Sequence, residues 1–207
     1  MLNARFYNTV AELNGLPDDS LFEVAFAGRS NAGKSSAINA ITNQRRLAYV
    51  SKTPGRTQHL NFFTVGERRF LVDLPGYGYA RAPLMQQLGW QSLIGGYLHD
   101  RPQLRGLVLI MDIRHPFTEL DQQLLDWFLP FGRPVHVLLS KSDKLSKGQA
   151  LPVLRKAREH LRPWSGQVSV QLFSSTRREG LDEAEDILRR WLEWPKKSPA
   201  QGEKPGQ

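Results

Sequence analysis

Leu21-Phe-Glu-Val-Ala-Phe-Ala27 runs directly into Gly28-Arg29-Ser30-Asn31-Ala32-Gly33-Lys34-Ser35, and a helix-forming stretch over Lys34–Ile41 follows. The first seven residues are a short, nearly continuous apolar run, which reads as a buried strand. The next eight fit G-x-x-x-x-G-K-[ST]. In that pattern the glycines let successive backbone N–H groups turn inward around phosphate oxygens, and the helix behind adds the positive end of its dipole. Lys34 is then placed to reach the β and γ phosphates, and the Ser35 hydroxyl to ligate Mg²⁺. Strand, glycine loop and helix in this order predict phosphate binding at Gly28–Ser35.

A phosphate loop does not choose its base, and the segments that choose lie further along. Asp73-Leu74-Pro75-Gly76 follows the apolar run Arg68–Leu74. It is a D-x-x-G, placed for an aspartate that holds Mg²⁺ through water and a Gly76 N–H that senses the γ phosphate. Ser140-Lys141-Ser142-Asp143 follows the apolar run Pro134–Ser140. The Asp143 carboxylate can accept from both the ring N–H and the amino group of guanine, a pattern adenine does not offer. Leaving such a polar group unpaired discriminates by about 10⁴-fold or more. Phe173-Ser174-Ser175, at the end of the last strand, adds a candidate backbone contact to the guanine oxygen. Phosphate loop, D-x-x-G and K-x-D come in order at successive strand ends, on the edge where parallel α/β sheets bind ligands. The ligand is therefore read as GTP or GDP with Mg²⁺. In the polar loop Ser51–His59, Thr53 and Thr57 can both complete the Mg²⁺ shell; Thr57 is favoured because it lies closer to the following strand.

Six strands are expected: Leu21–Ala27, Leu60–Val65, Arg68–Leu74, Gly106–Ile113, Pro134–Ser140 and Val168–Ser174. Helices are expected at Lys34–Ile41, around Glu119–Phe128, near Gln149–Leu161 and near Leu181–Trp194. Alternation of this kind implies an α/β, Ras-like three-layer sandwich with a mostly parallel six-stranded sheet and one antiparallel edge strand from the Leu60–Leu74 hairpin. Residues 1–20 read as an N-terminal extension, 21–194 as the nucleotide domain, and 195–207, rich in Pro, Gly, Lys and Gln, as a disordered basic tail. Trp191 and Trp194 read as core or core-edge residues.

The chain has 207 residues, 40% hydrophobic and 23% charged, which suits one soluble domain. No apolar run is long enough for a membrane span and no secretory signal is visible, so a cytoplasmic protein is expected. With no cysteine, disulfides, thiol catalysis and Cys-based zinc sites are excluded. The five histidines show no metal-ligand spacing. Lys and Arg number 28 against 20 acidic residues, a net charge of +8. Such a field attracts polyanions and points to an RNA-rich partner, although it would suit an anionic membrane as well. The absence of an obvious coiled coil leans towards a monomer.

With these segments placed, the chain resembles the EngB/YihA/YsxC family of GTPases linked to ribosome assembly. The resemblance spans roughly residues 5–194 and rests on GRSNAGKSS at Gly28–Ser36, TPGRTQ at Thr53–Gln58 and, most diagnostically, DLPGYGYA at Asp73–Ala80. It implies Ser35 and Thr57 as Mg²⁺ ligands, Gly55, Arg56, Thr57, Gln58 and His59 near the phosphates, and Ser140–Asp143 and Phe173–Ser175 around the base. It also implies a role with the large ribosomal subunit and in normal cell division and septation. One departure is Ser140, where the wider superfamily usually has Asn; a serine is expected to lose the amide's bracing of the phosphate loop. Another lies after Gly76, where Ras has a water-orienting glutamine and this chain has Tyr77. A tyrosine turned away from the water leaves Lys34, Thr57 and Gly76 as the hydrolytic groups, so intrinsic turnover is expected to be slow. In related cation-dependent GTPases an asparagine at the place of Asn31 helps seat K⁺; the alternative is that Asn31 only tolerates a turn. Tyr77, Tyr79 and Arg81 read either as a nucleotide-gated surface or as simple loop packing.

Overall fold

The computed structural model describes residues 2–48, 59–78 and 92–194. Strands β1 (Arg5–Val10), β2 (Phe22–Gly28), β3 (Leu60–Gly66), β4 (Arg69–Asp73), β5 (Leu104–Asp112), β6 (Val135–Ser140) and β7 (Val168–Leu172) form one sheet. Its order is β1-β3-β4-β2-β5-β6-β7. The pairs from β4 through β7 are parallel, while β3 is antiparallel to both its neighbours. Helices α1 (Lys34–Ile41), α2 (Leu93–Asp100), α3 (Glu119–Phe128), α4 (Lys147–His160) and α5 (Leu181–Trp191) cover its two faces.

The sheet has seven strands where six were expected, and the additional one comes from the N-terminal residues. Arg5–Val10 pairs with β3 from Arg5↔Thr64 to Val10↔Leu60, so β3 lies one place in from the edge. The segment carries little strand signal because its register shifts between Phe6 and Asn8, and because Phe6 and Tyr7 stay 57% and 44% exposed. Without a covered face there is no clean alternation to read.

β2 explains the layering. Its side chains point alternately to the two faces, Ala25 and Ala27 towards one core and Val24 and Phe26 towards the other. The first core packs under α2, α3 and α4 with Tyr97, Leu125, Phe128 and Leu154, and the second under α1 and α5 with Ile38, Ile41 and Leu188. Trp191 packs against this second core, its ring lying where a Cβ on Gly106 would come within 2.6 Å. Trp194 is also half-buried, with Arg69 and Arg189 guanidinium groups 5.7 and 5.1 Å from its ring. At the far pole Glu23, fully buried, is neutralised by the Arg101 guanidinium at 2.6 Å.

β2 sits between β4 and β5. The chain leaves it to one side for β3 and β4, then crosses to β5 on the other, which opens a crevice at the carboxyl end of β2. Everything the sequence reading marked as chemistry, within the described residues, gathers around that crevice.

Candidate functional site

The phosphate loop leaves β2 at Gly28 and needs two residues in the left-handed region, Asn31 (φ +66°) and Gly33 (φ +103°). Glycine adopts this region freely and asparagine at modest cost, which gives Asn31 a backbone reason of its own. Gly33 then caps α1, so Lys34 and Ser35 stand in its first turn, where unpaired N–H groups and the helix dipole favour an anion.

The loop is tied to the D-x-x-G segment through the backbone. Ser30 N–H donates to Tyr77 O at 2.8 Å, and Tyr77 N–H to Gly28 O at 3.3 Å. Asp73 ends β4 opposite Phe26 of β2, and its carboxylate receives the Lys34 ammonium; both side chains are nearly buried. Phosphate lysine, Mg²⁺-side aspartate and loop amides are therefore one cluster.

Tyr77 turns inward. It is buried, and its hydroxyl donates to Asp121 Oδ1 at 2.7 Å. Asp121 Oδ2 accepts from the backbone N–H and the hydroxyl of Thr118, the capping box that starts α3. Burial, and then the Asp121 charge, hold the Tyr77 hydroxyl well above its ordinary pKa. This residue therefore links the D-x-x-G loop to the head of α3.

The base-reading loops meet on the other side. Ser140 Oγ donates to Ala32 O at 2.5 Å and lies 3.1 Å from Met111 O. The expected loss of bracing is thus overturned: the hydroxyl is short, but β6 brings it close enough to hold the phosphate loop directly. Lys141, at φ +59°, donates to Asn31 O at 2.7 Å and pairs with Asp112 at 3.0 Å. Asp112 also takes two bonds from the Arg114 guanidinium, at 2.9 and 2.6 Å, and these hold its carboxyl far below the usual range. Asp143 Oδ1 accepts from Ser174 Oγ at 2.6 Å, which lowers its pKa and fixes the carboxylate as an acceptor. Ser174 and Phe173 are fully buried at the end of β7, with Ser175 half-buried beside them.

Two supports escaped the sequence reading. Glu179 accepts from Ser142 Oγ at 2.9 Å and exchanges both backbone bonds with Ser174, so it locks the two base loops together. Asp112 was visible only as an acid at the end of β5, a position paired with Ser140 at the end of β6, directly before Lys141. Gly28, Arg29, Ser30, Ala32, Leu74, Pro75 and Gly76 stand on the crevice segments, and half-buried His59 directly precedes β3. Thr53, Gly55, Arg56, Thr57 and Gln58 lie outside the described residues, as do Tyr79, Arg81 and the tail 195–207.

Among the described residues no three His, Cys, Asp or Glu side chains group as a closed metal cage. The hard oxygens of Ser35 and Asp73 fit Mg²⁺ of the kind that one or two protein groups share with phosphates. No helix among the described residues is long and apolar enough to cross a membrane.

A G-x-x-x-x-G-K-S loop, a D-x-x-G and a K-x-D at the strand ends along one crevice of a doubly wound sheet define a P-loop GTPase fold. Residues 23–141 match the family model described as "50S ribosome-binding GTPase". A probable GTP-binding protein EngB of Dechloromonas aromatica is 58% identical over 192 residues, covering 92% of this chain and 87% of that protein. Its counterpart in Neisseria meningitidis serogroup B is 56% identical over 193 residues, 92% of both. The chain belongs to the EngB family of GTP-binding proteins. A crystal structure of a probable GTP-binding protein EngB, 19% identical, superposes with a TM-score of 0.63 over 84% of this chain and all of that one. That of an Aquifex aeolicus Era point mutant bound to GDP·AlF4⁻, also 19% identical, gives 0.61 over 87% of this chain and 59% of that one. Both likenesses speak for the fold.

Proposed function

We propose that this cytoplasmic protein is a slow, Mg²⁺-dependent GTPase switch in large ribosomal subunit assembly, and that normal division and septation depend on it through that role. The carrying observation is the convergence of phosphate loop, Asp73 and Asp143 on one crevice, with the ribosomal target suggested by the "50S ribosome-binding" description of its family model.

Guanine is read by the Asp143 carboxylate, with Ser142 and Phe173–Ser175 closing around the base and the Lys141 stem lying along it. Gly28–Ser35 cradle the phosphates. Lys34 exchanges the Asp73 carboxylate for phosphate oxygens when nucleotide enters, which frees Asp73 to act on the metal side. Ser35 and Thr57 hold Mg²⁺, with Gly55, Arg56, Gln58 and His59 beside the phosphates. When held by these residues, Mg²⁺ would supply charge neutralisation at the phosphate oxygens. Phosphoryl transfer depends mostly on positioning and charge neutralisation, much of which Lys34, Thr57 and the Gly76 N–H supply. Tyr77, at the place of the water-orienting glutamine, is committed to Asp121 and does not orient the attacking water. Hydrolysis is accordingly slow until a partner, or K⁺ seated at Asn31, supplies help. Equal rates in KCl and NaCl at matched ionic strength would remove the K⁺ role.

The deciding experiment is co-sedimentation with purified large subunits in a non-hydrolysable GTP analogue and in GDP, across a salt series. Preferential pelleting with the analogue is expected. No pelleting in either state, with nucleotide binding confirmed, would overturn the ribosomal target.

A further inference from the structure

Much of the positive charge of this chain lies on one segment, α4 and the turns at its two ends. From Lys144 to Arg162, six Lys and Arg (144, 147, 155, 156, 158 and 162) stand against Glu159 alone, contributing +5 of the net +8. All six are exposed. The other surface helices differ: α3 carries Glu119, Asp121 and Asp126 with no Lys or Arg, and α5 sets four acids against two arginines.

The helix geometry aligns these charges. At 3.6 residues per turn, Lys147, Leu151, Arg155 and Arg158 fall within about 80° of the circumference of α4, over about 16 Å of axis. The neighbouring side, centred about 90° round the helix, is committed to the core through Ala150, Leu154 and Ala157, which leaves the stripe exposed on the helix flank. Arg162 is paired to Glu159 at 3.3 Å in a fully exposed contact worth little. Lys147, Arg155, Lys156 and Arg158 have no carboxylate partner among the described residues. A row of cations with Glu159 as the one acid beside it, itself paired to Arg162, is complementary to a row of like-charged anions, and guanidinium forks match phosphate oxygens. The apolar content of that face is Leu151 alone, 54% exposed, which is too little for a membrane-lying helix.

We infer that the outer face of α4 is an RNA-docking surface that binds the phosphate backbone of structured RNA. The inference rests on the ribosomal reading above for its choice of RNA, and adds where the RNA lies. The stripe starts at Lys144, whose ammonium is 3.8 Å from Asp143 of the base-reading loop, so docked RNA would border the nucleotide site without covering the phosphate loop.

The test compares the full chain with the triple variant Lys147→Glu, Arg155→Glu, Arg158→Glu, and with a control, Arg5→Glu, Arg46→Glu, Arg190→Glu, that changes net charge equally on other faces. Binding to a labelled RNA duplex is measured across a salt series, with GTP affinity and thermal melting as checks of folding. The wild type should bind with log affinity falling linearly against log salt, at a slope of roughly −3 for three to four neutralised phosphates. The stripe variant should lose at least tenfold in affinity and about half or more of that slope, with GTP affinity intact. The control should stay within about threefold of wild type. Equal losses in both variants, no loss in the stripe variant, or no RNA binding by the wild type would each overturn the inference. RNA binding through the stripe without large-subunit pelleting would instead leave this surface standing and remove only the ribosomal target.

Discussion

At the scale of single residues, the base site is defined by which atoms are already bonded. Ser174 occupies Asp143 Oδ1, which fixes the carboxylate and leaves Oδ2, 3.8 Å from the Lys144 ammonium, with acceptor capacity to spare. An Asp143→Asn chain presents one donor and one acceptor, which mismatches guanine and suits a base bearing a carbonyl in place of the amino group. GTP affinity should fall by about 10²- to 10⁴-fold while xanthosine triphosphate gains, as read by titration calorimetry with both nucleotides. Loss of both would mean that Asp143 holds the loop and does not read the base. Ser140→Ala leaves Ala32 O without its donor, a net hydrogen bond of about 0.5–1.5 kcal/mol, so GTP should bind about 3- to 10-fold more weakly. Unchanged affinity would show that the superfamily's brace is dispensable here. Within the described residues, the motif segments of the candidate site could be read because each follows a strand in a short pattern. Asp112 and Glu179 were not, because what they do depends on which strand or loop lies beside them. The reach of the Ser140 hydroxyl was likewise invisible until the separation of β6 and the phosphate loop was known.

At the scale of elements, Tyr77 joins two pieces that lie 44 residues apart in the sequence. Its main chain pairs with Gly28 and Ser30, and its hydroxyl braces the carboxylate that caps α3. Tyr77→Phe keeps the ring and removes one buried bond to a charged acceptor. The expected loss is about 1–2 kcal/mol, or about 2–8 °C in Tm for a chain of this size, measured by thermal unfolding. An unchanged Tm would mean that Thr118 alone satisfies Asp121. Elements with strong periodicity could be read from sequence closely, and α3 falls at its expected bounds. α4 begins two residues earlier than expected, at Lys147, because Ser146 and Gln149 form a capping box whose S-x-x-Q spacing marked the start. α2 was not read at all: Gly95 and Gly96 are both buried there, and two glycines depress any helix signal. β1 stayed hidden for the opposite reason, since its partner β3, not its own pattern, makes it a strand.

At the scale of the whole molecule, stability must depend on pH through one buried histidine as well as through the carboxylates. His136 lies on β6 between two side chains of β7, with Nε2 at 2.8 Å from Gln171 Oε1 and Nδ1 at 2.7 Å from Ser169 Oγ. Gln171 spends its amide N–H on Gly180 O at 2.7 Å, so its carbonyl must face the ring. Nε2–H therefore donates, Nδ1 accepts from the Ser169 hydroxyl, and the ring is a satisfied neutral imidazole. Burial pushes its pKa down from 6.5 to about 4. Below 6.5 the unfolded chain takes up a proton that the folded chain refuses until about pH 4, so stability is complete above 6.5 and declines across that window as pH falls. A shift of this size corresponds to roughly 3 kcal/mol. Acid also neutralises carboxylates and adds to a charge already at +8, so the raw profile mixes both effects. His136→Asn separates them: its denaturant midpoint should start lower at about pH 8 and fall less between about pH 6.5 and 5, the difference from wild type shrinking as pH drops. Parallel profiles for the two chains would show that the ring already titrates at its unfolded value, and that Ser169 and Gln171 hold the imidazolium as readily as the neutral ring.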